Sequence, residues 1–292
     1  MKASAPGKLV LLGDYAVLAG GPALVAAVDR RAVGAPGGPM PPSAVVEAVL
    51  ARAKREGGRP ELPEIDTRAF LDEHGQKLGL GSSAAVAVVT AALSLGQDDE
   101  RTFQVALEGH RDAAGGVGSG VDVAASFYGG VIATARQPAP VEVLPTEIPG
   151  LTLSVLYTGQ SASTARMVEA VERAEAWLSW QKVLLELSEQ GLDAWRRQDA
   201  PNFLSVVSRY GRALAGLGAD AGVPIVTHRT AELMRRAQEE GGAAKPSGAG
   251  GGDVAVLFAS DPDLAARLAV ETGCVLLSVR VDPRGLRLGE ET

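Results

Sequence analysis

Three glycine-rich stretches of the chain carry what anion chemistry needs: backbone N–H groups left bare by glycine, with a hydroxyl or an ammonium beside them. They are APGKLVLLGDYAVLAGG at 5–21, GLGSSAA at 79–85 and KPSGAGGGD at 245–253. In the second, a glycine turn opens directly into a helical pattern. The first turn of a helix has N–H groups without partners and a partial positive charge, and glycine lets a phosphate approach that backbone closely. Ser82 and Ser83 add hydroxyls for phosphate or for a magnesium ion. A plain glycine turn with a serine cap uses the same residues, and this stretch by itself does not choose. It is not a Walker-type loop, because no Lys-Ser/Thr pair follows the glycines.

The third stretch has no helix after it, so an anion there would sit in a nest of successive N–H groups, helped by Lys245 and Ser247. The alternative is a surface loop between a helix and a strand. A further turn, GSGVD at 118–122, places Asp122 at the start of a helix, where the dipole stabilises a carboxylate. A functional reading pairs it with Lys8, the sole charge of the first thirteen residues after Lys2. A lysine at the mouth of a strand and turn is well placed to neutralise phosphate.

The elements that must position these groups follow from periodicity and punctuation. Residues 8–12 and 23–29 read as strands, and 34–42 (GAPGGPMPP) as a Pro/Gly loop. Ser43 caps a helix over 44–56. The helix at 82–95 is apolar on nearly every face and should be central, with Gly96 as its stop. An amphipathic helix covers 103–114, and the helical pattern resumes at 123–130 before a strand at 131–135. A strand at 151–159 leads into a long helical region at 163–190 and more helix at 201–216. The chain closes on a helix (228–240), the glycine loop, a strand (254–258), a helix (DPDLAARLAVET) and a strand (CVLLSVRV). The alternation gives an α/β or α+β class, with a composition shift at 137–150 as the domain boundary.

The whole chain limits the function. Its 292 residues allow one large domain or two ordinary ones. With 46% hydrophobic but only 4% aromatic residues, the core is mainly Ala, Val and Leu. A net charge of −7 argues against nucleic acid as the main partner. The single cysteine, Cys274, stands in an apolar run and is expected to be a small buried hydrophobe; no intrachain disulfide is possible. Lys8 and Asp14 interrupt any signal-peptide core, and no run approaches the roughly 18 apolar residues of a membrane span. A soluble, cytoplasmic protein is expected. His110 and His228, lone histidines on helical segments, are more simply packing or surface residues.

Taken together and in order, the three stretches resemble the GHMP kinase superfamily, whose members carry a PxGK-type strand and turn, a GLGSS phosphate loop and a C-terminal Gly-rich loop. The resemblance spans nearly the whole chain. APGKLVLLGDYAVL (with Asp14 where the family usually has Glu), EIDTRAFLDEHGQKLGLGSSAAV at 64–86, GSGVDVAASFYGG at 118–130, TGQSAST at 158–164 and KPSGAGGGD are most similar to the bacterial phosphomevalonate kinases, with mevalonate kinases second. It implies an α+β fold of two domains: an N-terminal one like ribosomal S5 domain 2 (1–148) and a ferredoxin-like C-terminal one (149–292), with ATP and substrate in the cleft between them. The activity implied is ATP- and magnesium-dependent phosphorylation of a small molecule, phosphomevalonate or else mevalonate, by a monomer or homodimer. A non-catalytic metabolite-binding relative and an ATP-using decarboxylase are the other readings. The chain departs from the pattern between 28–33 and 44, where a short Pro/Gly loop replaces a longer strand and loop.

Residue by residue, the resemblance assigns Lys8 and Asp122 to catalysis. It gives Gly79, Leu80, Gly81, Ser82, Ser83 and Ala84 to ATP, and Ser83 to the metal. The substrate receives Tyr15, Ser119, Gly120, Ser163, Lys245, Ser247, Gly248 and Gly250. An acidic second metal ligand is expected on a nearby helix, either Glu108 or Asp112. Asp122 is either a base or the group that orients Lys8. A phosphate acceptor is already largely a dianion near neutral pH, so it needs positive charge more than a base, and Lys8 and Lys245 are the expected sources.

Overall fold

The apolar runs and caps settle into two compact units in the computed structural model, which describes residues 1–38, 41–59, 61–159 and 164–289. The first unit comprises Met1–Leu9, Val25–Val143 and Arg280–Thr292; the second comprises Val10–Leu24 and Leu144–Val279. The units interleave along the chain: 10–24 groups with the later unit and 280–292 with the earlier one. The elements run β1 (Ala3–Leu12), β2 (Ala23–Pro36), α1 (Ala44–Arg55), β3 (Pro63–Asp66), α2 (Ser82–Leu95), α3 (Glu100–Ala113), α4 (Val121–Tyr128), β4 (Val131–Thr134) and β5 (Glu142–Leu144). They continue with β6 (Thr152–Tyr157), α5 (Thr164–Arg173), α6 (Trp177–Arg196), α7 (Ala200–Ala221), α8 (His228–Glu239), β7 (Ala243–Pro246), β8 (Val254–Ala259), α9 (Leu264–Thr272), β9 (Val275–Leu277) and β10 (Arg287–Leu288).

In the first unit the sheet order is β10-β1-β2-β4-β5, with β3 also paired to β2. Helix α2 begins at Ser82 as its glycine turn dictates, and Gly96 ends it in the left-handed conformation with its N–H on the Ala92 carbonyl. Its Ala and Val side chains are buried except for Val86, which is half-buried, and it packs against α1, α3 and α4. Its two buried hydroxyls turn back on their own helix, Thr90 to the Val86 carbonyl and Ser94 to the Thr90 carbonyl, so neither is left without a partner. Ser43 caps α1 through Val46 N, and Asp99 caps α3 through Thr102 N, each cap worth about 1 kcal/mol. Strand β2 runs on past the expected end at 29, through two arginines. One of them has partners far along the chain: Arg31 donates to Asp282 Oδ2 at 2.6 Å, the Ser4 carbonyl at 2.8 Å and the Gly285 carbonyl at 2.7 Å.

The second unit holds the antiparallel sheet β7-β8-β6-β9. Numbered in chain order those strands read 2-3-1-4, the βαββαβ arrangement of a ferredoxin-like fold. Helices α8 and α9 bury Leu233, Ala237, Leu264 and Leu268 with Leu156 and Leu257 of the sheet, and Cys274 joins this core as expected. Trp195, Phe203 and Phe258 meet edge to face beside it. The helical region expected over 163–190 is two helices, α5 and α6. Val171 and Trp177 are both buried, yet six residues on a continuous helix are about 240° apart. A break between them lets both turn inward. The final run CVLLSVRV forms strand only over Val275–Leu277.

Candidate active site

The phosphate turn belongs to the first unit and is built by β1. Lys8 N donates to the Leu80 carbonyl at 2.8 Å, which holds the turn against the strand. Gly7 is required beside it, since a Cβ there would lie 2.7 Å from Phe70 Cε1 and nearer still to the Leu80 oxygen. Gly81 caps α2 at φ 80°, and a Cβ on it would lie 2.7 Å from Lys8 Cγ. The Lys8 side chain thus lies over the turn, and the turn must be glycine. Ser82 and Ser83 open α2 with no hydroxyl spent on capping. The side chains of Leu80 and Ala84 are buried, so of these two residues only backbone can meet a ligand. We expect Gly81→Ala to cost about 1–2 kcal/mol in backbone strain and to displace Lys8, lowering nucleotide affinity about tenfold or more by calorimetry. Unchanged affinity would remove the turn from the nucleotide site.

The GSG turn is held by Arg111 and Gln137. Arg111 Nη2 donates to the carbonyls of Ser119 and Gln137, and Gln137 N donates to the Ser119 carbonyl at 2.8 Å. Gly120 caps α4 at φ 77°, against Leu107. Asp122 follows in the first turn of α4, its Oδ1 accepting Val123 N at 3.0 Å. Among the described residues it forms no ion pair with Lys8. Its neighbour is His110, whose Nε2 lies 3.9 Å from Asp122 Oδ2 and 3.1 Å from Ser83 Oγ. Glu108 and Asp112, the two carboxylates expected to offer a metal ligand, are engaged elsewhere. Both hold Arg52 of α1, at 2.9 and 2.6 Å, and Arg52 keeps the Asp112 carboxyl below the usual range.

The second unit gathers the other two stretches around a buried ion pair. Lys245 and Asp14 have no side-chain exposure and meet at 2.7 Å. Lys245 Nζ also donates to the carbonyls of Val10 and Pro246, and it lies 5.9 Å from the Tyr210 ring centroid. Burial raises the Asp14 carboxyl, while Lys245 and the Gly248 N–H pull it back. Gly248 N reaches Asp14 Oδ1 at 2.6 Å, Val10 N donates to Ser247 Oγ at 2.9 Å, and Tyr15 OH donates to the Ala249 carbonyl at 2.6 Å. Tyr210 OH, its phenol pushed up by burial and by Asp14, donates to the Asp14 carbonyl at 2.7 Å.

The third stretch is thus tied to the 10–15 segment. Lys245, Ser247 and the Gly248 N–H are spent fastening the glycine loop to the 10–15 segment, and Tyr15, at φ 60°, has its hydroxyl in the same clasp. Gly250, at φ 76°, backs onto Ile225, where any Cβ would collide. Ser163 lies outside the described residues. Sequence reasoning passed over Arg229, whose Nη1 donates to the Thr158 carbonyl at the head of the 158–164 stretch; its place just inside α8 gave no local signal. No group of three or more His, Cys, Asp or Glu gathers into a metal site among the described residues, and no helix among them is long and apolar enough to cross a membrane.

A glycine turn opening a buried helix, with a lysine over it and a ferredoxin-like unit alongside in the chain, is the plan of an ATP-dependent small-molecule kinase. The chain belongs to the GHMP kinase family: residues 44–130 match the GHMP kinases N terminal domain and 205–271 match GHMP kinases C terminal. The α+β, two-domain expectation is borne out with it.

Among its relatives are a phosphomevalonate kinase of Streptomyces sp. (strain CL190), 31% identical over 86% of this chain and 88% of that one, and a mevalonate kinase of Aeropyrum pernix, 30% identical over 99% and 98%. A Streptococcus pneumoniae phosphomevalonate kinase structure, in complex with phosphomevalonate and AMPPNP, superposes with a TM-score of 0.81 over 96% of this chain and 99% of that one, at 21% identity.

Proposed function

We propose that the protein transfers the γ-phosphoryl group of ATP to phosphomevalonate, giving diphosphomevalonate and ADP. The observation that carries the kinase reading is the α2 N-terminus with Lys8 laid over Gly81; the acceptor rests on the relatives. The residues present fit a magnesium ion. Magnesium keeps several waters and needs only one or two protein oxygens beside the phosphates, and Ser83 Oγ at the head of α2 is such a donor. When bound, the ion would neutralise charge on the phosphate oxygens.

The chain's own groups do the rest. The first-turn N–H groups of α2 receive the anionic phosphates, and Lys8 stabilises the charge that spreads over the transferring group. Asp122, in the first turn of α4, accepts what proton remains on the acceptor.

Steady-state ADP release with an acceptor panel tests this reading. Phosphomevalonate is expected to be the preferred acceptor, with the highest kcat/KM of the panel. Turnover of mevalonate alone would replace the acceptor assignment by the second reading, which the mevalonate kinase relative at 99% coverage favours.

A further inference from the structure

We propose that His110 is the α3 group that positions the Ser83 hydroxyl for the metal-bound nucleotide, standing where sequence reasoning looked for a carboxylate. The inference rests on the kinase reading above and deepens it. Glu108 and Asp112 are one turn apart on α3, so they share a face, and that face is turned to Arg52. A residue two positions from either lies about 200° around the helix. His110 is therefore the one that faces α2 and α4, with Nε2 at 3.1 Å from Ser83 Oγ and 3.9 Å from Asp122 Oδ2.

The chemistry follows from what a hydroxyl has to offer. Serine carries one donor and two acceptor lone pairs. If its oxygen is to face a cation, its proton must point elsewhere. With the imidazole proton on Nδ1, His110 Nε2 accepts the Ser83 O–H and leaves both oxygen lone pairs aimed away from the imidazole. The ring is largely enclosed: its side chain is 16% exposed, with Asp122 Oδ2 3.9 Å from Nε2. A partner of this kind fixes the orientation of a ligand without touching the metal, and its loss weakens binding by about 10- to 100-fold. Ser83 would then be a protein oxygen offered to the metal, which needs only one or two beside phosphates and water.

Calorimetric binding of ADP, with and without magnesium, reads this without turnover. His110→Leu is expected to weaken magnesium-ADP binding by about 10- to 100-fold while leaving metal-free ADP binding nearly unchanged. His110→Gln, whose side-chain carbonyl can accept the same proton, is expected to restore most of it. In a Ser83→Ala background the His110→Leu change should have no further effect, as a double-mutant cycle requires. Melting temperatures of all variants check that each is folded, and His110→Asn replaces His110→Leu if the latter is not. Equal weakening with and without magnesium, or no weakening at all, overturns the assignment. Magnesium-tightened ADP binding in the unaltered protein keeps the kinase reading intact in either case; its absence would overturn both.

Discussion

Lys8→Met is expected to lower kcat by about 100- to 1,000-fold, the usual consequence of removing one fixed group that stabilises transition-state charge. Asp122→Asn is expected to lose less than the about 100-fold that loss of a working general base costs. The asymmetry comes from the acceptor. A phosphate monoester has a second pKa of about 6, so it arrives largely deprotonated and brings its own nucleophilic oxygen. What it lacks is relief from repulsion by the phosphates of ATP. We propose that Lys8 gives that relief: its N–H is bonded to the Leu80 carbonyl of the glycine turn and its methylenes lie over Gly81. Steady-state kinetics with phosphomevalonate at saturating ATP measures both effects, and melting temperatures confirm that the variants are folded. A collapse of Asp122→Asn with Lys8→Met nearly active would reverse the roles and point to an alcohol acceptor, which must give up a proton as it attacks.

The second large effect is on stability. Lys245→Met leaves the Asp14 carboxylate buried without its cation, a change that costs about 3–5 kcal/mol. The three tryptophans, 177, 180 and 195, all lie in the second unit, so their fluorescence in a urea titration reports on it. The loss should depend on pH in a definite sense. Burial raises the Asp14 carboxyl in the folded state, and without Lys245 it rises further. A carboxyl with a raised folded pKa contributes fully below its unfolded value of about 3.9, and that contribution is lost as pH rises through the folded value. Lys245→Met should therefore be closest to the unaltered protein in mild acid and furthest from it at neutral pH. Asp14→Asn with Lys245→Met removes the charge but keeps an oxygen for the Gly248 N–H. That pair should recover much of the stability and lose the pH dependence. A single variant as stable as the parent at neutral pH would show that the pair does not hold the clasp.

Much of this fold was legible because its signals are local. The helix at 82–95 announces both its ends, a glycine turn before Ser82 and Gly96 after Leu95. Ser43 names the start of α1 in the same way. The parts that differ depend on distant partners. Strand β2 continues through Arg31 because Asp282 and Gly285, some 250 positions later, receive its guanidinium. The break between α5 and α6 serves the burial of Val171 and Trp177, and the six-residue spacing that demands it is visible only once both are known to be inside.

The candidate site divides along the same line. The glycine turns and the residues at helix starts could be placed from the sequence, since they act through their own backbone. A charge is different, because its role depends on what faces it. Lys245 looked available beside a glycine loop, and its partner lies 231 positions earlier in a turn where Asp14 seemed a mere replacement for Glu. The i, i+4 spacing of Glu108 and Asp112 did carry a usable signal: two carboxylates on one helical face, with His110 on the other.

The interleaving of the two units has a consequence for how such a chain can be divided. A gene cut between residues 143 and 144 would not yield two independent halves. The first product would lack 280–288, and with it the acceptors of Arg31 and the strand that pairs with Ala3 and Ser4. The second would lack 10–24, leaving Lys245 inside its sheet with no carboxylate and Ser247 with no strand to receive. Each unit is completed by a segment translated with the other. Exchange of either unit between such chains would therefore have to carry 10–24 with the later unit and 280–288 with the earlier one.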